Sequence, residues 1–335
     1  MVATIIATDG STPAPALSKM VVTKGNWIGT VGGGCMEADV VEAARSMETE
    51  KKAGILKFTL NEDDMIHGLI CGGSLHVLIE PVTQKDIFFY NEIAGTRNSG
   101  TDCVIGTRFS NGTIAEKILV KSGDTMAQSR AELTDAAQRA FDRTETQRIT
   151  IPDGEWVLEP IPGQPELILF GAGHVSKFIA RAASSAGFRV IIVDDRTQYA
   201  NKERFPDADE IIVTEYHEIS NRISLRSSSY VVIVTRGHQS DEDILAHVIN
   251  HPVKYIGMIG SKRKIFATYE HLVERGIPPE TLGHVHAPMG LDIGASSPEE
   301  IAISVVAELI SIRRKSSSRV QHKSSSMQPL IDKLK

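Results

Sequence analysis

Thr30-Val31-Gly32-Gly33-Gly34-Cys35-Met36-Glu37 carries the sharpest chemical content in this chain. Three consecutive glycines are entropically costly, so they need a geometric reason: a turn, or a close approach of main chain to a ligand. Apolar residues at 36, 40, 41, 44 and 47 then recur at helical spacing and predict one buried helix face. Cys35 therefore falls near a helix N-terminus, where the dipole favours the thiolate, the form that binds soft metals and attacks electrophiles. Glu37 opposes that ionisation through like charge and is itself a candidate proton acceptor. The competing reading is an inert, packed cysteine. Cys71, in His67-Gly-Leu-Ile-Cys71-Gly-Gly, is a second glycine-flanked thiol that could face the same cleft, whereas Cys103 in DCVIGTRF reads as core. With no CxxC pair and no histidine at standard spacing to either cysteine, a structural zinc finger is excluded.

A second set of residues points to anions. Gly171-Ala-Gly173 follows the strand-like ELILF and opens the helix-like HVSKFIARAASSAG. The first glycine permits a tight turn, the second lets amides approach an anion, and the helix mouth supplies unpaired N–H groups. Ser176 takes the place of a third glycine. Asp194 ends the next strand-like run, 23 positions beyond Gly171, where an acid commonly binds a ribose hydroxyl. Asp195 is a second candidate. The alternative is a βα turn retained for packing. His174 is placed to touch a bound phosphate, or simply caps or faces solvent. In TRGHQSDED, Arg236 is a candidate anion clamp, and His238 and Asp241 are candidates to position a polar group or exchange a proton; helix capping by Ser240 or Asp241 is the bland alternative. Lys262 and Arg263, with Lys264, begin a helix whose dipole they oppose, which suggests an anionic ligand against the alternative of a solvated face. Ser297-Pro-Glu-Glu300 spells a capping box. His284 and His286 are expected to pack as a pair on one strand face.

The elements that must position these groups follow from the pattern. Glu159-Pro-Ile-Pro-Gly-Gln-Pro165 holds three prolines and a glycine and interrupts regular structure. Beyond it, residues 164–312 alternate short apolar runs with helices, the signature of parallel βαβ units. Residues 1–163 contain several strand candidates with helices expected at 36–48, 84–93 and 131–142. The fold class is α/β: a C-terminal Rossmann-like parallel sheet domain with an N-terminal mixed α+β domain. Residues 313–335 carry seven Lys/Arg against one Asp and contain KSSS twice, so they are expected to be mostly disordered. The 335 residues are 41% apolar and 23% charged with net charge -6, a soluble composition that excludes a generally nucleic-acid-binding chain. No run approaches the roughly 18 apolar residues of a membrane span, and three cysteines favour a reducing, cytoplasmic setting.

Taken in order, TVGGGCMEADV, the CGG before a strand ending in EP, LILFGAGHVSKFIA, TRGHQSDEDIL, YIGMIGSKRK and APMGLDIGASSPEEIAISVVAEL resemble the xanthine dehydrogenase accessory proteins, the XdhC/CoxI-like family. The resemblance runs to about residue 312. It implies a maturation factor of purine catabolism that binds and protects molybdenum cofactor and helps deliver it, sulfurated, to xanthine dehydrogenase or another molybdenum hydroxylase. A cysteine desulfurase is the implied sulfur source, and a homodimer the expected assembly. Carried over by motif, Cys35 would hold the cofactor's metal end, with Gly32, Gly33, Gly34 and Glu37 around it. The expected cofactor position is between the domains, its phosphate near Gly171–Gly173 or Lys262–Lys264. No residue is assigned a catalytic role. Two features depart from the family: the chain opens almost at once on the strand VATIIAT where relatives usually have a helix, and GSTPAPALSKM lacks the basic residue often found after Ser/Thr-Pro. The alternatives are an NAD(P)-dependent oxidoreductase, with Asp194 on the ribose and Cys35 or His238 in catalysis, and a purely structural assembly factor.

Overall fold

The computed structural model describes residues 1–50, 52–59, 73–110, 113–124, 131–314, 327 and 331–333; the side chains of Cys35, Ser110, Thr113 and His238 lie outside that description. The chain divides into two compact units, Met1–Gly163 and Gln164–Lys335.

In the first unit, β1 (Val2–Asp9) shows how the strand alternation is used. Ala3 and Ile5 point to one face, where they pack under a helix, while Ile6 points to the other and meets Leu78 and Val157. Around it, β2 (Lys19–Val22), β3 (Trp27–Gly29), β4 (Gly54–Thr59) and β5 (Ser74–Glu80) form an antiparallel sheet in the order β3-β2-β1-β5-β4. Helix α1 (Gly34–Glu50) covers that sheet with Met36, Val40, Val41 and Ala44, the positions marked by the helical period. After α2 (Ile87–Asn98) come β6 (Cys103–Ser110), β7 (Thr113–Lys121), α3 (Ala131–Arg143), β8 (Gln147–Ile151) and β9 (Gly154–Ile161). These strands make a second antiparallel sheet, β7-β6-β9-β8, roofed by Leu133, Ala136, Ala137 and Ala140 of α3. The N-terminal half is thus an α+β unit built on two antiparallel sheets. A polar seam joins them. Lys117 Nζ lies 2.6 Å from Glu80 Oε2, the Tyr90 hydroxyl donates to Glu80 Oε1 at 3.1 Å and accepts from Lys117 at 3.0 Å, and Lys19 pairs with Glu159. The carboxylates here are nearly buried and need their partners, because a buried ion left alone costs several kcal/mol.

The second unit contains β10 (Glu166–Phe170), α4 (His174–Ser185), β11 (Arg189–Asp194), β12 (Glu210–Val213), α5 (Ile219–Arg222), β13 (Ser229–Ile233), α6 (His238–Val248), β14 (Tyr255–Met258), α7 (Lys262–Glu274), α8 (Pro279–Leu282) and α9 (Pro298–Arg313). Its sheet is parallel throughout, in the order β12-β11-β10-β13-β14. Numbered from β10, that is 3-2-1-4-5, the doubly wound Rossmann order. His286 extends it by one position through a bridge to Gly257. All five residues of β10 and of β13 are buried because both faces are covered. Ile168 and Phe170 face the side of α6 and α7, and Leu167 and Leu169 face the side of α4 and α9. The α/β class is therefore realised as the alternation required. The basic tail is not wholly without structure: Met327 and Ile331, one helical turn apart in sequence, are buried against the α6–α7 core, while most of the tail lies outside the described residues. Among the described residues no helix is long and apolar enough to cross a membrane.

Candidate functional site

The glycine run makes the turn that launches α1. Gly32, Gly33 and Gly34 adopt φ values of +129°, +78° and +62°, a left-handed stretch that side chains disfavour. Their surroundings differ. A Cβ on Gly32 would fall 2.5 Å from Met36 Cε and 2.7 Å from Pro13 Cγ, whereas one on Gly33 or Gly34 would meet nothing within 4 Å among the described residues. Gly32 thus serves packing, and the other two present bare main chain to open space. Cys35 follows as the second residue of α1. Glu37 is committed to the turn itself: its Oε1 accepts from the Thr30 hydroxyl at 2.5 Å and from the Gly33 amide at 3.1 Å, and Thr30 Oγ1 accepts from the Gly32 amide at 3.0 Å. Sequence reading missed Thr30 as the second half of this clamp, because its contact with Glu37 spans seven residues and is made only once the glycine turn has folded. The clamp also has an electrostatic consequence. A carboxylate already sits on the helix mouth, so a phosphate there would meet like charge, while a thiolate-seeking metal would not. Cys71 lies outside the described residues, and Cys103 is a fully buried free thiol whose pKa burial pushes up to about 11, as suits core.

In the second unit the glycine turn has the expected form. Gly171 has φ +101° and no room: a Cβ would lie 2.2 Å from the Val234 carbonyl oxygen. Gly173 is the N-cap of α4, and a Cβ there would meet nothing within 4 Å. His174 is exposed and stands edge-on to Phe178 at 5.2 Å. Ser176 is fully buried, as the third small position of such a turn requires.

Asp194 corrects the sequence reading. Its carboxylate is completely buried and faces inward, accepting from the Ala172 amide at 2.6 Å, the Arg196 amide at 3.0 Å, and Arg196 Nε and Nη2 at 2.9 Å each. Burial alone would raise its pKa, but the hydrogen bonds from Arg196 and the Ala172 amide lower it. Its spacing is right for a ribose acceptor, yet Arg196, two residues on, has taken the oxygens. Asp195 is exposed and lies 3.3 Å from Arg196 Nε.

The loops after β13 and β14 are tied together from within. Asp241, fully buried, accepts from the Thr235 hydroxyl and pairs with Lys264 Nζ. Lys264 is thereby withdrawn from the cationic trio, leaving Lys262 and Arg263 exposed at the start of α7. Arg236 is exposed, and His238 is the first residue of α6, whose cap is Gly237 rather than Ser240 or Asp241. The histidines also differ from expectation. His284 is exposed, while His286 bonds Glu308 at 3.2 Å and packs 4.6 Å from the Tyr255 ring, so they do not form a pair. Glu308 joins Tyr255 and the Gly290 amide on the same carboxylate. Among the described residues, no group of three or more His, Cys, Asp or Glu is placed to hold a metal ion.

Two sequence models match the segments that carry these features. Residues 167–309 match the XdhC Rossmann domain, and residues 1–59, which include the glycine turn and Cys35, match the XdhC and CoxI family. Both matched segments are of XdhC type. It is 29% identical over 326 residues to a Bacillus subtilis protein named as a probable xanthine dehydrogenase subunit, covering 94% of this chain and 93% of that one. It is 26% identical to the Escherichia coli protein YqeB, covering 93% of this chain and 43% of the other. The fold matches a crystal structure from Bacillus halodurans described as a xanthine dehydrogenase, with TM-score 0.75 and 27% identity over 94% of this chain and 91% of that chain. The XdhC character therefore spans both units.

Proposed function

We propose that this chain carries molybdenum cofactor as cargo, protects it, and with a cysteine desulfurase as sulfur source passes it to a xanthine dehydrogenase or another molybdenum hydroxylase. The XdhC-type segments and the names of the relatives support the coarse role in a xanthine dehydrogenase system. One local observation carries the finer reading: two glycines with no neighbour among the described residues to exclude a guest stand immediately before Cys35, at the mouth of α1.

These residues fit such a cargo by donor chemistry. The cargo supplies a soft metal centre, which a thiolate prefers over hard oxygen ligands. Cys35 would hold that centre, and the helix terminus favours the ionised sulfur. Gly33 and Gly34 leave space for a bulky guest to approach the main chain. Glu37 and Thr30 fix the turn beforehand, so binding need not order three glycines. Nothing in this arrangement calls for turnover by the chain itself.

The test is transfer. Chain loaded with molybdenum cofactor is mixed with an apo-hydroxylase, and hydroxylase activity is followed with and without sulfuration by a cysteine desulfurase. The reading expects activity to appear in proportion to loaded chain. Failure to retain the cofactor, together with hydride transfer from NADPH or NADH, would favour an NAD(P)-dependent oxidoreductase instead.

A further inference from the structure

At the end of β11 two arginines, Arg196 and Arg204, stand beside the acids: Asp194 is buried, and the exposed Asp195 lies 3.3 Å from Arg196 Nε. A carboxylate has about four lone-pair sites. Asp194 accepts four hydrogen bonds from within the protein and has no capacity left for a ribose diol. Around it stand positive groups on an aromatic platform. The Arg196 guanidinium lies 4.1 Å from the centre of the Tyr199 ring and that of Arg204 lies 5.2 Å from it. Arg204 Nη2 reaches the Ala172 carbonyl at 3.5 Å, which places this guanidinium against the glycine turn itself. Its Nε is buried and has no acceptor among the described residues. A buried guanidinium N–H without a partner is costly, and an incoming oxygen would relieve it. Gly173 meanwhile leaves open space at the helix mouth.

In folds of this kind an acid at the end of the second strand selects the 2′-hydroxyl, whereas an arginine nearby accommodates a 2′-phosphate. We propose that the second unit binds a nucleotide bearing a 2′-phosphate, of the NADP class, with Arg204 on the phosphate and Arg196 and Tyr199 beside it. The planar fork of arginine suits a phosphate monoester, to which it donates paired N–H groups. The inference goes beyond the cargo reading and is independent of it. Cofactor retention reports on Cys35 and nucleotide preference reports on Arg204, so either can fail alone.

The experiment is an equilibrium titration of the full chain, by ligand fluorescence and calorimetry, with NADPH against NADH and with 2′,5′-ADP against 5′-ADP. Inorganic phosphate serves as a third arm. Each 2′-phosphorylated compound is expected to bind at least about tenfold more tightly than its partner, and inorganic phosphate should compete only weakly. Arg204→Gln should reduce the preference to near unity, and Arg204→Lys, which keeps charge but lacks the fork, should fall between. Equal affinities within the pairs, a preference for NADH, the absence of saturable binding, or a preference that survives Arg204→Gln in a folded variant would each overturn the proposal. The ratio on the unaltered protein decides the matter even if a variant does not fold.

Discussion

Gly34 offers a way to separate backbone strain from obstruction at the proposed cargo site. Its φ of +62° lies in the left-handed region, where an L-residue other than asparagine or aspartate costs about 1–2 kcal/mol. Replacing glycine also narrows the unfolded ensemble, which returns about 0.4–1 kcal/mol. Since an added Cβ would meet nothing within 4 Å among the described residues, no collision with them enters. Gly34→Ala should therefore cost about 1 kcal/mol, a drop in Tm of about 2–4 °C for a unit of this size. Gly34→Asn should cost less, because asparagine tolerates this backbone. Gly32→Ala is the contrasting case: φ +129° and contacts of 2.5 and 2.7 Å add strain to overpacking, for a loss of roughly 3 kcal/mol. The assay pairs chemical denaturation with molybdenum-cofactor retention through gel filtration. If the cargo abuts the bare glycines, both Gly34 variants lose retention, although the asparagine variant is nearly as stable as the parent. Wild-type retention in both would refute the idea that anything binds against this turn.

Two further outcomes follow from the second unit. Burial would raise the Glu308 carboxyl, but hydrogen bonds from His286, Tyr255 and the Gly290 amide outweigh it and bring the pKa down to about 2 from an ordinary 4.5. A depressed acid stabilises the fold fully above the unfolded value and loses that contribution as pH falls toward 2, an effect on the order of 3 kcal/mol. Glu308→Gln should flatten the stability profile between pH 4.5 and 2; an unchanged acid limb in denaturation curves would contradict this. Gly171→Ala should destabilise this unit by at least about 3 kcal/mol, through φ +101° and a Cβ 2.2 Å from the Val234 oxygen. Amide exchange in β10 and β13 is the measurement, and parental protection there would count against it.

Local rules were legible in the sequence, and partner choice was not. The capping box at Ser297 forms as spelled, with the Glu300 amide donating to Ser297 Oγ at 3.3 Å and Glu300 accepting from the Ser297 amide at 3.1 Å. The glycine turn at Gly171 and the parallel sheet around it follow from period and turn chemistry alone. By contrast, β1 pairs with β5 some seventy residues away, and β6 with β9, so the two antiparallel sheets depend on long-range pairing that no local pattern encodes. At the sites, spacing located Asp194 and the cations of α7 but did not say what each side chain would face. Arg196 claimed Asp194, and Asp241 claimed Lys264. Thr30, Tyr199 and Arg204 escaped notice because each matters through a contact made only after folding.

The most direct trial of the cargo account is molybdenum-cofactor retention by Cys35→Ala beside Cys103→Ala, with each variant's fold checked by its unfolding curve. The account predicts that replacing Cys35 strongly reduces retention while folding stays intact, and that replacing the buried Cys103 leaves retention unaltered in molecules that remain folded. Equal retention by Cys35→Ala and the parent chain would contradict it.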